Sequence, residues 1–237
     1  TYVAHVRHKT VGLTPTHADT HPFHRELNGR EYCFAHNGTL AGDAFWKRPL
    51  GRFKPIGHTD SEYLFCLLLA ELESFSHLRE EVADGELPRK PATGEQQWRW
   101  LHQFLWRLND FGKLNCLLTD GESMLAYHDK NGWKGLSSRT VYLHEDSPRH
   151  FGDATVAVDL HAAPINHGVI VATNPLSVDG WERFLPGEMK LLREGNIAFT
   201  ARPTQAERNV TNALHKTTEH PPDATNPRLV AEGIVEK

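Results

Sequence analysis

Apolar residues recur with two different periods along this chain, and the switches between them mark out its elements. Residues 2–6 are largely apolar and end at a charged side chain, as a strand does, and residues 31–36 form a second such run. Asn37-Gly38 then predicts a sharp exit from that strand. Residues 10–30 read as loop, rich in Thr, His, Asp, Pro and Gly, and residues 41–59 are broken by Pro49, Gly51, Pro55 and Gly57.

The period then lengthens. Thr59 or Asp60 can cap a helix, Glu62 stands at the capping-box position, and Tyr63, Leu64, Leu67, Leu68 and Leu72 follow at helical spacing. Residues 84–95 read as a surface connection, and residues 95–109 carry Trp98, Leu101, Leu105, Trp106 and Leu108 as a second amphipathic helix. Beyond Gly112 the texture is that of strands. Residues 114–119 and 124–128 flank Asp120-Gly121 as a hairpin, and further strands are predicted at 140–143, 169–173, 189–193 and 196–200, the last pair joined by Glu194-Gly195. The order of strand, strand, helix, helix and many antiparallel strands predicts α+β layers, not a βαβ repeat. Residues 1–200 read as one domain. Residues 201–237, with four prolines and balanced charge, predict a loosely packed or disordered extension.

Composition narrows the function classes. A net charge of -4 gives no electrostatic argument for nucleic acid. The longest apolar run, residues 64–70, is far short of the roughly 20 residues a membrane span needs, and residues 1–12 are too polar for a signal peptide. Cys33, Cys66 and Cys116 form no CxxC pair, which predicts reduced thiols, a cytoplasmic setting and no cysteine zinc site. Of 16 histidines, His5, His8, His17, His21, His24 and His36 crowd the first 36 residues, so metal-assisted hydrolysis is a rival reading. No HExxH or HxH spacing supports it, and no metal or other cofactor is expected.

Three local signals carry chemistry, and each has a plainer alternative. Arg7 at a strand end can grip a carboxylate with two parallel hydrogen bonds, or it can pair with a surface acid such as Asp19 or Glu31. Asp60 at a helix start can bind an ammonium group, or it can serve as a helix cap. Asn37-Gly38 can join a side-chain amide to a backbone N–H as an oxyanion hole, or it can be an ordinary turn.

Read together, four ordered pieces carry a resemblance. They are His5, Arg7, Thr10 and Gly12; His21-Pro22-Phe23; His36-Asn37-Gly38; and Thr59-Asp60-Ser61-Glu62. Their order and spacing resemble the glutamine-binding half of the class II (N-terminal-nucleophile) glutamine amidotransferases. The later strands look like those of the small single-domain members, among them the ergothioneine-pathway amidohydrolase and subunits that cleave γ-glutamyl bonds in glutathione. The resemblance implies a four-layer αββα sandwich and cleavage of the γ-amide of glutamine or a γ-glutamyl conjugate. By the same resemblance Arg7, helped by His8 and Thr10, would bind the α-carboxylate. Asp60 would bind the α-amino group, and Asn37 with Gly38 would form the oxyanion hole.

The family attacks with an N-terminal cysteine, whereas this chain opens on Thr1. Cys33 and Cys66 have no free amine. Thr1 lies six residues before Arg7, roughly 20 Å along an extended segment and too far to share one glutamine. The expectation is therefore that the first strands and the cysteine lie upstream, with a small molecule as substrate and room for a partner subunit. A non-catalytic subunit that only binds glutamine or a γ-glutamyl ligand is the alternative.

Overall fold

The computed structural model describes residues 1–5, 16–84, 94–142, 149–152, 157–160 and 167–209. Its first compact unit is Thr1–Arg202. The elements of that unit are β1 (Phe23–Leu27), β2 (Arg30–Leu40), the single turn α1 (Asp43–Trp46), α2 (Asp60–Asp84), α3 (Gly94–Leu108), β3 (Gly112–Thr119), β4 (Ser123–Tyr127), β5 (Ser137–Tyr142), β6 (Arg149–Gly152), β7 (Ala157–Leu160), β8 (His167–Ala172), β9 (Glu182–Arg183), β10 (Met189–Arg193) and β11 (Asn196–Ala201). A second unit is Pro203–Lys237. Its helical turn at 205–209 opens with a complete capping box, in which Thr204 N–H donates to Glu207 and Glu207 N–H donates to the Thr204 hydroxyl. Residues 210–237, most of the predicted extension, lie outside the described residues, as do 85–93 of the predicted connection.

Six strands form one antiparallel sheet in the order β1-β2-β3-β4-β10-β11. Its two faces are separated by strand alternation. Leu125, Tyr127 and Leu191 join one core with Leu64, Phe65 and Leu68 of α2 and Leu101 and Leu105 of α3. Phe34 of β2 stacks on Phe65 there, ring centroids 5.3 Å apart. The alternate residues Leu117, Ala126 and Leu192 meet Leu136, Val169, Val171 and Phe184 from the second sheet, ordered β8-β5-β9. The observed layering is thus helix, sheet, sheet, an α+β architecture. On the far side of the second sheet, Val141 and Ile170 pack with Phe151 and Val158 of the β6-β7 hairpin. No helical fourth layer is found among the described residues. None of the described helices is long and apolar enough to cross a membrane.

Two expectations change. Residues 1–5, read as most of the first strand, are not in a strand: no described segment pairs with them, and a strand exists only as a paired state. Residues 23–27, read as loop, form β1. Asn28 and Gly29, with φ of 53° and 76°, make the tight turn that returns the chain to β2.

Candidate active site

Asn37-Gly38 is the first piece of the site, and it is not a turn. β2 runs through it, with Asn37 opposite Asn115 and Gly38 opposite Leu114 on β3. Glycine is required at 38 by close approach, since a Cβ there would lie 2.0 Å from the Lys113 carbonyl oxygen. Leu114 N–H leaves the ladder to donate to Asp129 Oδ2 at 2.8 Å, and Leu40 N–H leaves it to donate to Asp60 Oδ2 at 2.8 Å. In an antiparallel ladder this makes Gly38–Leu114 a non-hydrogen-bonded pair. Gly38 N–H therefore points away from β3, along the same edge as Leu40 N–H. β1 has already ended there, at Phe23 opposite Phe34. The half-buried Asn37 amide makes no hydrogen bond to any described residue.

Asp60 arrives from α2. Thr59, the helix cap, accepts the Glu62 N–H at 3.1 Å, which frees the Asp60 carboxylate from capping. One of its oxygens holds Leu40 N–H; Oδ1 meets no described donor, and the side chain is one-fifth exposed. His36 couples the two pieces. Its Nε2–H donates to Lys113 O at 3.1 Å, its Nδ1 accepts from the Ser61 hydroxyl at 2.9 Å, and Asp60 Oδ2 lies 3.9 Å away. Burial holds the His36 pKa below its ordinary 6.5, against the opposing pull of Asp60. The ring therefore stays neutral and serves as a spacer between strand and helix.

Glu62 does not complete the capping box. It is 1% exposed and accepts instead from Ile56 N–H at 2.9 Å, Gly57 N–H at 2.6 Å and the Arg25 guanidinium of β1. The loop that leads into Asp60 is thereby tied to both β1 and α2. Arg7, His8 and Thr10 lie outside the described residues. The structure thus brings Asn37, Gly38 and Asp60 to one sheet edge. His21 and Phe23 of the second piece lie at the start of β1, where the His21 ring packs on His5 at 4.2 Å.

A buried network escaped the sequence reading. Asp129, fully buried, accepts from Asn109 Nδ2, Leu114 N–H, Asn131 N–H and Trp133 N–H, and its own N–H donates to Asn115 Oδ1. Asn115 Nδ2 in turn donates to Trp133 O at 3.0 Å. This cluster fixes the start of β3, the strand that sets the position of Asn37 and Gly38. Its members are scattered from Asn109 to Trp133 with no motif spacing; the one available signal was the turn chemistry of Asp129-Lys130-Asn131-Gly132.

None of the three cysteines is a poised nucleophile. Burial pushes the Cys66 thiol up to about 11 and raises those of Cys33 and Cys116 as well. Thr1 Oγ1 donates to Gly121 O at the β3-β4 turn. That is seven residues along β3 from Leu114, roughly 20 Å or more from Gly38 by strand rise. Among the described residues no three His, Cys, Asp or Glu side chains gather as a metal site.

Known proteins resemble this chain over most of its length. A family model described as class II glutamine amidotransferases matches residues 1–216. An uncharacterized protein of Methanocaldococcus jannaschii is 31% identical over 207 residues, 84% of this chain and 52% of its own length. YafJ of Escherichia coli, provisionally named a glutamine amidotransferase, is 32% identical over 197 residues, 80% of this chain and 68% of its own. The crystal structure of a predicted glutamine amidotransferase from Pseudomonas aeruginosa matches with a TM-score of 0.61 at 31% identity, covering 77% of this chain and 66% of that one. The chain thus spans about half the length of the M. jannaschii protein.

Proposed function

Because this chain belongs to the class II glutamine amidotransferases, we propose that it forms the glutamine-binding half of an enzyme cleaving the γ-amide of glutamine or of a γ-glutamyl conjugate. The observation that carries this reading is the shared edge of β2 and α2. There the Asn37 amide, unclaimed among the described residues, and the outward Gly38 N–H stand two to three residues along β2 from Leu40, whose N–H holds the half-engaged Asp60 carboxylate.

The chemistry follows from those groups. The thiolate of an N-terminal cysteine, upstream of residue 1, attacks the γ-carbonyl carbon. A C–S bond forms while the carbonyl π electrons move onto oxygen. Asn37 Nδ2–H and Gly38 N–H donate to that oxyanion, in a site where such donors are each worth roughly 3 kcal/mol. Collapse breaks the C–N bond, and the leaving nitrogen departs as ammonia or an amine after taking up a proton. Water or an acceptor amine then attacks the thioester and restores the thiol. Asp60 Oδ1 receives the substrate α-ammonium, and Arg7, with His8 and Thr10, receives the α-carboxylate. A four-layer αββα sandwich, as this reading implies, requires a second helical layer beyond the helix, sheet and sheet of the described residues.

The test is steady-state cleavage of glutamine and γ-glutamyl substrates by the intact protein with its native N-terminus. Arg7→Ala and Asp60→Asn should each raise KM for glutamine by at least about tenfold, the scale of one lost charged hydrogen bond. Unchanged cleavage in both variants sinks the assignment. Tight binding of glutamine without turnover would instead assign a non-catalytic binding subunit.

A further inference from the structure

A cavity of about 360 Å³ opens between the loop at residues 128–137 and the segments around Asn174 and Arg183. Its charges are of one sign. Lys134 and Arg183 stand on its wall, and among the described residues no Asp or Glu does. Both cations are exposed, and neither makes an ion pair with a described residue. Lys134 Nζ is held over the Trp133 ring, 5.0 Å from its centroid, which limits where that charge can go.

His128 is the second, independent observation. His128 lines the same cavity and is 5% exposed. Its Nδ1–H donates to Leu185 O at 3.1 Å, so in the neutral ring Nε2 carries the lone pair. That nitrogen has no hydrogen-bond partner among the described residues. Orphaned buried acceptors are rare in folded proteins, and each asks for a missing donor. A buried acceptor without a donor, beside two cations without anions, describes a ligand by its complement.

We propose that this cavity binds a small molecule carrying an oxyanion, carboxylate or phosphate, together with a hydroxyl or ammonium donor. Arg183 meets the oxyanion with its planar fork, and Lys134 adds a point charge. The hydroxyl or ammonium of the same molecule donates to His128 Nε2. Asn174, exposed at the rim, supplies a neutral amide. The site is distinct from the glutamine edge and does not depend on that reading. The two are nonetheless joined through one loop: Trp133 O, between the cavity residues Gly132 and Lys134, accepts from Asn115, which faces Asn37 across the ladder.

Isothermal titration of the intact protein tests this, with inorganic phosphate and malate as separate probes against chloride at matched ionic strength. At least one probe should bind at a single site. Arg183→Gln and His128→Asn should each weaken it by at least about tenfold, the scale of one charged or buried hydrogen bond. Asparagine keeps a donor near the Nδ1 position for Leu185 O while removing Nε2. Arg183 is exposed, so its variant leaves the core intact and a loss there reads binding rather than folding. Binding of phosphate alone assigns a phosphate-bearing ligand, and binding of malate alone a carboxylate. If neither probe binds better than chloride, or if binding survives both substitutions, the proposal falls. Glutamine turnover is not part of the readout, so failure here leaves the amidotransferase reading standing.

Discussion

An amide donor stabilises an oxyanion best when no other group has claimed it, and among the described residues none claims the Asn37 side chain. Asn37→Ala should therefore lower kcat by about 10² to 10³ with little change in KM, because the bond it removes exists mainly in the transition state. A comparable rise in KM instead would place Asn37 on the ground-state substrate. His36 makes a different prediction. Its folded pKa lies below the unfolded 6.5, so the unfolded chain binds the proton more readily. The stability this histidine contributes is complete above that pH and is lost as pH falls through the interval between the two values. The slope is up to about 1.4 kcal/mol per pH unit. Denaturant melts from pH 7.5 down to 5 should show that fall, and His36→Gln should flatten it; an unchanged profile would mean other groups dominate. At this scale a motif is legible in the sequence when its residues lie close together along the chain. Asn37, Gly38 and Asp60 each sit in a short motif, whereas Asp129 and Asn115 work through contacts that no spacing announces.

Elements take their positions from the groups that tie them together, and Glu62 is the clearest case. Its buried carboxylate holds the loop before α2 through two backbone N–H groups and holds β1 through Arg25. Glu62→Gln would leave Arg25 facing an amide and would replace one acceptor oxygen by a donor. Breaking a buried pair in this way costs about 3–5 kcal/mol. The denaturant midpoint should drop accordingly with the m-value unchanged, and KM should rise as Asp60 loses its fixed approach. A loss under about 1 kcal/mol, the ordinary range for exposed pairs, would show that the pair contributes as little as a surface ion pair does. The same connection explains why the alternation in β1 does not mark it as a strand. Its sequence, Phe-His-Arg-Glu-Leu, places Arg25 on the inward face between Phe23 and Leu27, so the alternation that marks a strand is masked by a charged residue whose partner lies 37 positions away. The Asn28-Gly29 turn was a readable signal, and two flanking strands follow from it. α2, α3 and the β3-β4 and β10-β11 hairpins were readable because their periodicity and turns are local.

The molecule as a whole is held by a core of unequal depth. The face of the six-stranded sheet that meets α2 and α3 buries Phe34, Phe65, Leu101, Leu105 and Tyr127 completely. Among the described residues, the outer face of the second sheet rests on three buried residues, Val141, Phe151 and Leu176, beneath the β6-β7 hairpin. Apolar burial contributes about 25 cal/mol per Å², so the two faces differ in the free energy needed to open them. Local opening follows that difference, because amides exchange through the cheapest unfolding that exposes them. Native-state hydrogen exchange should find the slowest amides in β2, β3 and β4, close to the global unfolding free energy. Amides of β6 and β7 should exchange by a separate opening at lower cost. Asn37 and Gly38 lie in β2, among the strands expected to exchange slowest, and that rigidity suits the proposed oxyanion role, since donors that must be reordered during reaction lose their advantage. The cavity beside Arg183 is lined by Leu136 and Phe184, which belong to the core between the two sheets and not to the shallower outer one. If β6 and β7 exchanged as slowly as β3, the two sheets would open as one unit, and the stability of the outer sheet would have to come from contacts other than those three residues.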